Sequence, residues 1–371
     1  MGNARAKGMA EAAKIARMEL ANIRAVHAFA REHDIPCDSH PCETVDVVYD
    51  AAQWELDLQA MQTMREVMPG DDASEYSVHT PEEVREKYYC GTGGEEGVCG
   101  AITYEAGTIS SYKFVVGLLK LCLQRGLNLQ THTPALEVEQ REGGGWNVRT
   151  ERGAICAKKL VLATNGYTAR LVKKFQGVIV PLRGQITAQR PGQSMPPEGL
   201  SHSYSFVYKN GYDYMIPRPK GSRFEGDIVI GGGVVAAPDE GIGEFGTTDD
   251  RVLNQPISGY LYESLARYFG DSWGADHPSG RIRKEWSGIM GYSADGFPLV
   301  GEMPDEREMW VSCSFQGHGM VSCWMCAKAL AAMMDGKDDA ELKQWFPDAF
   351  IVTRERLSST FEGDHLFSKD E

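Results

Sequence analysis

Leu160-Val161-Leu162-Ala163-Thr164-Asn165-Gly166-Tyr167 is a short apolar run ending in small residues. Such a run reads as a buried strand, and its small end lets a flat or charged group approach the backbone closely. Met309 to Phe315, then Gln316-Gly317-His318-Gly319-Met320, reads as a second strand, a glycine turn and the start of a helix reaching Met334 before Gly336. The first N–H groups of a helix have no partner within it, and its dipole is positive there. That end suits an anion or an electron-rich ring edge. Between these two stretches lies Trp286-Ser287-Gly288, followed by Gly291-Tyr292-Ser293-Ala294-Asp295-Gly296-Phe297-Pro298-Leu299-Val300-Gly301, which reads as a loop over 286–302. Each segment alone is an ordinary turn that needs glycine. Together, and in this order, they are specific.

Outward from this set, helices and strands alternate. Met9, Ala13, Ala16, Leu20, Ile23 and Ala30 recur at helical steps, and the helix stops by Asp34-Ile35-Pro36. A second helix is predicted from about Trp54 to Met68, and a third where Thr80-Pro81-Glu82-Glu83 supplies an N-cap, a first-turn proline and acids at the dipole's positive end. The stretch Cys90 to Gly100 reads as an exposed acidic loop. Phe114, Val115, Leu118, Leu119 and Cys122 form an apolar helical stripe ending at Gly126. Strands are expected at Leu127 to Thr133, Leu136 to Gln140 and Trp146 to Thr150, then at Gly184 to Gln189, Ser203 to Tyr208, Tyr212 to Ile216 and Asp227 to Ile230. A helix follows near Ile257 to Phe269.

The chain has 371 residues, 42% hydrophobic and 24% charged, which is enough for a sizeable core and two domains. Its net charge of −14 argues against nucleic acid and anionic membrane surfaces as partners. No apolar run approaches the roughly 20 residues of a membrane span. The expected partners are a small-molecule substrate and, as an open alternative, a second copy of the chain. Nine scattered cysteines read as reduced thiols of a cytoplasmic protein. The pair Cys323 and Cys326 sits in an apolar helical pattern without a second ligand pair, so small buried thiols are expected there and no metal site. Gly241-Ile242-Gly243-Glu244-Phe245-Gly246 has the spacing of a phosphate loop, but Pro238-Asp239-Glu240 before it and Asp249-Asp250 after it are turn chemistry that repels phosphate.

With these segments in place, the chain resembles the family of FAD-dependent oxidoreductases that includes D-amino-acid oxidase, glycine oxidase and sarcosine oxidase, and is most similar to its fungal-type members. The resemblance runs from about Glu11 to Phe361. It rests on Asp295-Gly296-Phe297-Pro298-Leu299-Val300-Gly301, Gly317-His318-Gly319-Met320, Ala163-Thr164-Asn165-Gly166 and Val180-Pro181-Leu182-Arg183-Gly184-Gln185.

The resemblance implies FAD as cofactor and a mixed α/β fold, with an incomplete Rossmann-like FAD domain (1–35, 104–180, 285–371) interleaved with an antiparallel-sheet substrate domain (36–103, 181–284). It implies cofactor contacts at Val138, Ala163, Thr164, Asn165, Gly166, Asp295, Gly317, Gly319 and Met320. His318, Tyr214 and Arg183 are the expected catalytic residues, with Tyr212, Trp286, Met290 and Gln185 facing the substrate. Arg183 has an equal reading as a buried ion-pair partner.

Two departures from the family pattern carry expectations of their own. The family opens on a strand, a Gly-x-Gly-x-x-Gly turn, a helix and a ribose-binding acid, whereas here Met1-Gly2-Asn3 leads at once into the helix that follows them. This βαβ segment is therefore expected to be missing, with an exposed apolar edge beside Leu160 to Ala163. In addition, an arginine that grips the substrate carboxylate in glycine-oxidase-like members aligns with Met290. The expected reaction is C–N oxidation by hydride transfer to flavin. The alternatives are a cofactor-free isomerase or cyclase in the emptied cavity, and a non-catalytic chain that binds a partner.

Overall fold

The computed structural model describes residues 7–91, 97–209, 211–337 and 340–363; residues 92–96 of the acidic loop expected over 90–100 lie outside them. The helices are α1 (Met9–Glu32), α2 (Ala51–Val67), α3 (Pro81–Tyr88), α4 (Ser111–Gln124), α5 (Thr168–Leu171), α6 (Gln255–Phe269), α7 (Cys323–Met334), α8 (Ala340–Trp345) and α9 (Arg354–Ser358). The expected N-cap of α3 forms a full capping box: the Glu83 amide donates to Thr80 Oγ1, and Glu83 Oε2 accepts from the Thr80 amide.

Eight strands make the large sheet, in the order β12-β8-β11-β10-β9-β1-β3-β2. They are β1 (His40–Val48), β2 (Ser77–His79), β3 (Gly100–Thr108), β8 (Ile179–Gln189), β9 (Ser203–Tyr208), β10 (Gly211–Pro217), β11 (Ile228–Gly231) and β12 (Ile282–Ser293). All pairings are antiparallel except β1 with β9. Because side chains alternate along a strand, register sorts the sheet into two faces. Val45, Val47, Phe206, Met215 and Ile230 point into a core capped by Ile257, Leu261 and Leu265 of α6. The opposite face carries a register row of Trp286, Ile186, Gly231, Tyr214, Ser205, Asp46 and Ile102.

The remaining strands form two small sheets. One has the order β13-β14-β7, with β13 (Leu299–Glu302), β14 (Met309–Cys313) and β7 (Leu160–Leu162); β14 and β7 run parallel. The other is the meander β4 (Ala135–Gln140), β5 (Trp146–Thr150) and β6 (Gly153–Ala157). The stretch 286–302 is thus not a loop. Its glycines invite that reading, but eleven residues of β12 pair across to β8, and β13 follows after a turn. Leu127–Thr133 forms no strand and lies mostly exposed, because no described strand lies beside it to satisfy its backbone.

Among the described residues β7 is the terminal strand of its sheet, and Val161 is 42% exposed there, in line with the expected apolar edge. Tyr112, Val115 and Leu123 of α4 and Leu127 beyond it are exposed as well. β3 and β12 each run through a boundary expected at 103/104 or 284/285, so the division we propose on this topology puts those seams after Thr108 and Ser293. The nine cysteines are all free; Cys326 is buried as expected, whereas Cys323 faces out.

The core of the large sheet turns on one carboxylate. Asp213 is fully buried in β10. It accepts from Tyr260 and Tyr268 of α6 at 2.7 and 2.5 Å, from Tyr208 at 3.3 Å and from the Gly233 amide at 2.9 Å. This set pins α6 to the sheet. Replacing Asp213 by alanine leaves three hydroxyls and an amide without their acceptor, and the expected loss is roughly 3 kcal/mol of unfolding free energy by urea denaturation. A loss below about 1 kcal/mol contradicts this anchoring role.

Candidate functional site

The site sits where the small parallel sheet meets β12. Asn165, in the left-handed region at φ 44°, follows β7 and turns its side chain across the sheet. Its Oδ1 accepts from the amides of Ser314 and Phe315, at 2.9 and 3.3 Å, just past the end of β14. The two strand ends are thereby tied side by side. The adjacent backbone then packs on β12 with no room for side chains. A Cβ on Gly166 would lie 2.4 Å from the Met290 carbonyl oxygen, and one on Gly291 would lie 2.8 Å from the Gly166 nitrogen. The Gln316 amide donates to the Gly291 carbonyl at 3.0 Å, so the glycine turn at 316–319 hangs from the same strand.

Past Gly317, at φ 77°, a 3₁₀ turn over Gly319–Val321 precedes α7. The helix expected from Met320 therefore begins three residues later. The leading N–H groups of Gly319 and Met320 come before the first bond within the turn. His318 and Met320 are exposed there, and packing around the His318 ring draws its pKa down, leaving a neutral imidazole near neutral pH.

Facing this turn is the open side of the large sheet. Tyr212 and Tyr214 project from β10 and are 47% and 37% exposed. The Tyr214 hydroxyl lies over Gly231, where a Cβ would come within 2.5 Å of it. Burial lifts the Tyr214 phenol to about 12, with Tyr212 and Asp213 adding to the shift, so it is a hydrogen-bond donor at neutral pH and not a base. Met290 spans the gap: its terminal methyl covers Gly184 and its sulfur lies beside Gly317. Tyr292 reaches the same glycine with its hydroxyl. Trp286 stands farther along the same face, 36% exposed.

The structure brings Ala163 to Gly166, Gly317 to Met320 and Met290 to one joint, with Tyr212 and Tyr214 on the sheet face beside Tyr292. Other expected residues are occupied elsewhere. Arg183 grips Glu244 through two parallel bonds, Nε to Oε2 at 2.7 Å and Nη2 to Oε1 at 3.0 Å, and donates Nη1 to the Asp249 carbonyl. Glu244 is buried, which alone would raise its pKa, but the bonds from Arg183 and Asn254 hold it below the usual range. Arg183 is therefore the ion-pair partner of the alternative reading. Its glutamate comes from the Gly-x-Gly-x-x-Gly stretch, which is a 3₁₀ turn with Asp239 and Glu240 at positive φ.

Gln185 is 2% exposed. Its amide spans the Asn254 backbone and the Ser258 hydroxyl, tying β8 to the start of α6 rather than facing a substrate. Asp295 receives a bidentate pair from Arg356 at 2.7 and 2.9 Å; burial pushes its carboxyl up, and Arg356 outweighs this and holds it low. The same guanidinium donates to the carbonyls of Phe297, Pro298 and Ile351, so Asp295 organises the β12–β13 turn. Val138 packs against the core built on Trp146 and Leu162. Sequence reasoning passed over Tyr292; its signal was an aromatic directly after a glycine that must approach another backbone.

Residues 3–333 match the family described as "FAD dependent oxidoreductase" (DAO). The chain is 26% identical over 236 residues to "Probable oxidoreductase OrdL" of Rhizobium meliloti (strain 1021), covering 62% of this chain and 48% of that protein. It is 24% identical over 236 residues to glycine oxidase of Geobacillus kaustophilus (strain HTA426), covering 63% and 55%. The match thus spans about half the length of these curated relatives. In three dimensions it is similar to glycine oxidase from Geobacillus kaustophilus, with a TM-score of 0.71 at 20% identity over 91% of this chain and 82% of that one. L-proline dehydrogenase from P. horikoshii follows at 0.68 and 16%, over 90% and 82%. With the family match extending over most of its length, this chain belongs to the DAO family of FAD-dependent oxidoreductases.

Proposed function

We propose that the chain is an oxidoreductase that oxidises a C–N bond of an amine or amino-acid-derived small molecule with FAD. The observation that carries this reading is the joint itself: a small-residue strand end and a glycine turn with free N–H groups, set opposite a wall of Tyr212, Tyr214, Tyr292 and Met290. Glycine at 166 and 291 lets the strand ends close on each other, and this sets the turn at Gly317 against Met290 and Tyr292, where the edge of a flat ring would lie. When bound, the flavin supplies the two-electron acceptor for the hydride that leaves the carbon beside nitrogen. The residues that would hold the ring are Asn165 and Gly166 on one side and Gly317 to Met320 on the other. The N–H groups of Gly319 and Met320, with His318, offer donors where negative charge on the ring needs them. The diphosphate end finds no such cradle among the described residues. Their parallel strands stop at β7, and the one Gly-x-Gly-x-x-Gly stretch packs against β8.

The wall sets the substrate class. A carboxylate entering a partly dry pocket needs a paired cation, and bidentate arginine is the usual device. Met290 offers a soft apolar surface instead, and Arg183 is committed to Glu244. A bulkier, less polar amine fits better than a free amino acid.

A second reading has its own observation: among the described residues β7 is an edge strand and α4 has an exposed apolar face, which suit a partner strand that pairs with β7.

In a dye-coupled assay with excess FAD, aromatic amines should be turned over about tenfold faster than glycine, sarcosine or D-alanine. Efficient turnover of those amino acids overturns the substrate class, and no turnover of any amine overturns the oxidoreductase reading for this chain. Arg183→Ala should leave Glu244 buried and unpaired and cost roughly 3 kcal/mol of stability by denaturant titration, with KM unchanged in the folded fraction. A selective rise in KM without loss of stability would return Arg183 to the substrate wall.

A further inference from the structure

The large sheet holds one strand glycine that no described neighbour requires. Gly100, Gly107, Gly184, Gly231 and Gly291 each have an atom less than 3.0 Å from the place a Cβ would occupy. Trp54 covers the first and His27 the second, Met290 lies over Gly184, Tyr214 lies over Gly231, and the backbone of Gly166 meets Gly291. Gly211 is set apart by its φ of 151°. Gly288, in β12, has neither reason. A Cβ there would meet no described atom within 4 Å, and its φ is outside the left-handed region. Glycine inside a strand costs conformational entropy and offers nothing to pack. It marks a bulge, or a place where something approaches the backbone closely. Gly288 pairs in regular register with Gly184, so it is not a bulge.

The surroundings of this bare spot are apolar. Trp286 and Met290 stand two residues to either side of Gly288, and therefore on its face of the sheet. Ile186 is the register partner of Trp286, and Gly184, under the Met290 methyl, is the partner of Gly288. The Trp286 side chain is partly exposed, with ring surface left uncovered. The Met290 sulfur lies beside Gly317. The spot is thus two residues, or roughly 7 Å, along β12 from the residue that touches the glycine turn.

We propose that Gly288 is a specificity-determining residue: a planar ring of the amine substrate lies on the bare strand there, between the Trp286 indole and the Met290 thioether. Bare backbone admits the flat face of a ring where any side chain would hold it off. An indole and a thioether both make favourable contacts with an aromatic ring. The offset from the turn leaves room for a two-carbon link between nitrogen and ring, which is the 2-arylethylamine class. This placement rests on the oxidoreductase reading for the reaction, but the slot itself is also read by binding alone.

The test compares 2-phenylethylamine, 2-cyclohexylethylamine and propylamine, in all of which the carbon beside nitrogen is a CH₂ group. Each is measured on the full chain supplied with FAD, by dye-coupled turnover and by calorimetric titration. The planar ring should give a KM at least about fivefold below that of the thicker cyclohexyl ring and about tenfold below that of propylamine. Gly288→Val fills the spot with a side chain that suits a strand. It should raise KM for 2-phenylethylamine at least about tenfold, change kcat by less than about threefold, and bring the three amines level. Gly288→Ala should act in the same direction by about threefold, and it decides the matter if the valine variant misfolds. Neither should lower the thermal midpoint, because no described atom has to move.

Tighter binding of the planar amine that Gly288→Val removes supports the slot even where no amine is turned over, a result that would sink the oxidoreductase reading alone. Turnover without a planar preference, a preference that survives both substitutions, or an equal loss for all three amines overturns the slot and leaves the reaction standing. Absence of both binding and turnover for all three overturns the slot as well.

Discussion

The site depends on one steric constraint, the backbone-to-backbone approach of Gly166 and Gly291. A side chain at either position would collide with the other strand at 2.4 to 2.8 Å. Because both are glycine, the end of β7 can lie directly on β12, and the small parallel sheet docks on the large antiparallel one. Asn165 then links β7 to β14 through two amides. Everything placed at the joint, from Met290 and Tyr292 to the turn at 316–319, inherits its position from this contact. A 3₁₀ turn over Gly319–Val321 leads into α7 there.

Local chemistry made much of this legible. The capped start of α3, the apolar stripe of α1, and the pairing of a small-ended strand with a glycine turn all follow from nearest-neighbour physics, and the structure has them at nearly the expected positions. What depended on distant neighbours was misread. Gly288, Gly291 and Gly296 made this stretch resemble a loop, and the need for glycine at 291 shows only in its contact with Gly166, far away in the sequence. Leu127 to Thr133 had a strand's composition but no described neighbour to bond. A strand is a statement about two segments, and one segment cannot reveal it.

The site residues divide along the same line. The structure gathers the glycines and small residues of the expected site at one joint, because their role is to leave room for a neighbouring backbone. Charged and amide residues were harder. Arg183, Gln185 and Asp295 are polar side chains at the seams between elements, where a structural partner and a ligand compete for the same polar atoms. Glu244, Asn254 and Arg356, which satisfy them, lie 61 to 69 residues away along the chain.

The central claim is that the described residues build a surface for the flavin ring rather than for the dinucleotide. Titration of the chain with lumiflavin, which is the ring without ribityl phosphate or adenine, tests it directly by quenching of flavin fluorescence. The account predicts that lumiflavin binds within about tenfold of the affinity of FAD, and that ADP does not compete. A preference for FAD of more than about a hundredfold, with ADP competing, would place the affinity in a phosphate cradle that these residues do not form and would contradict the account.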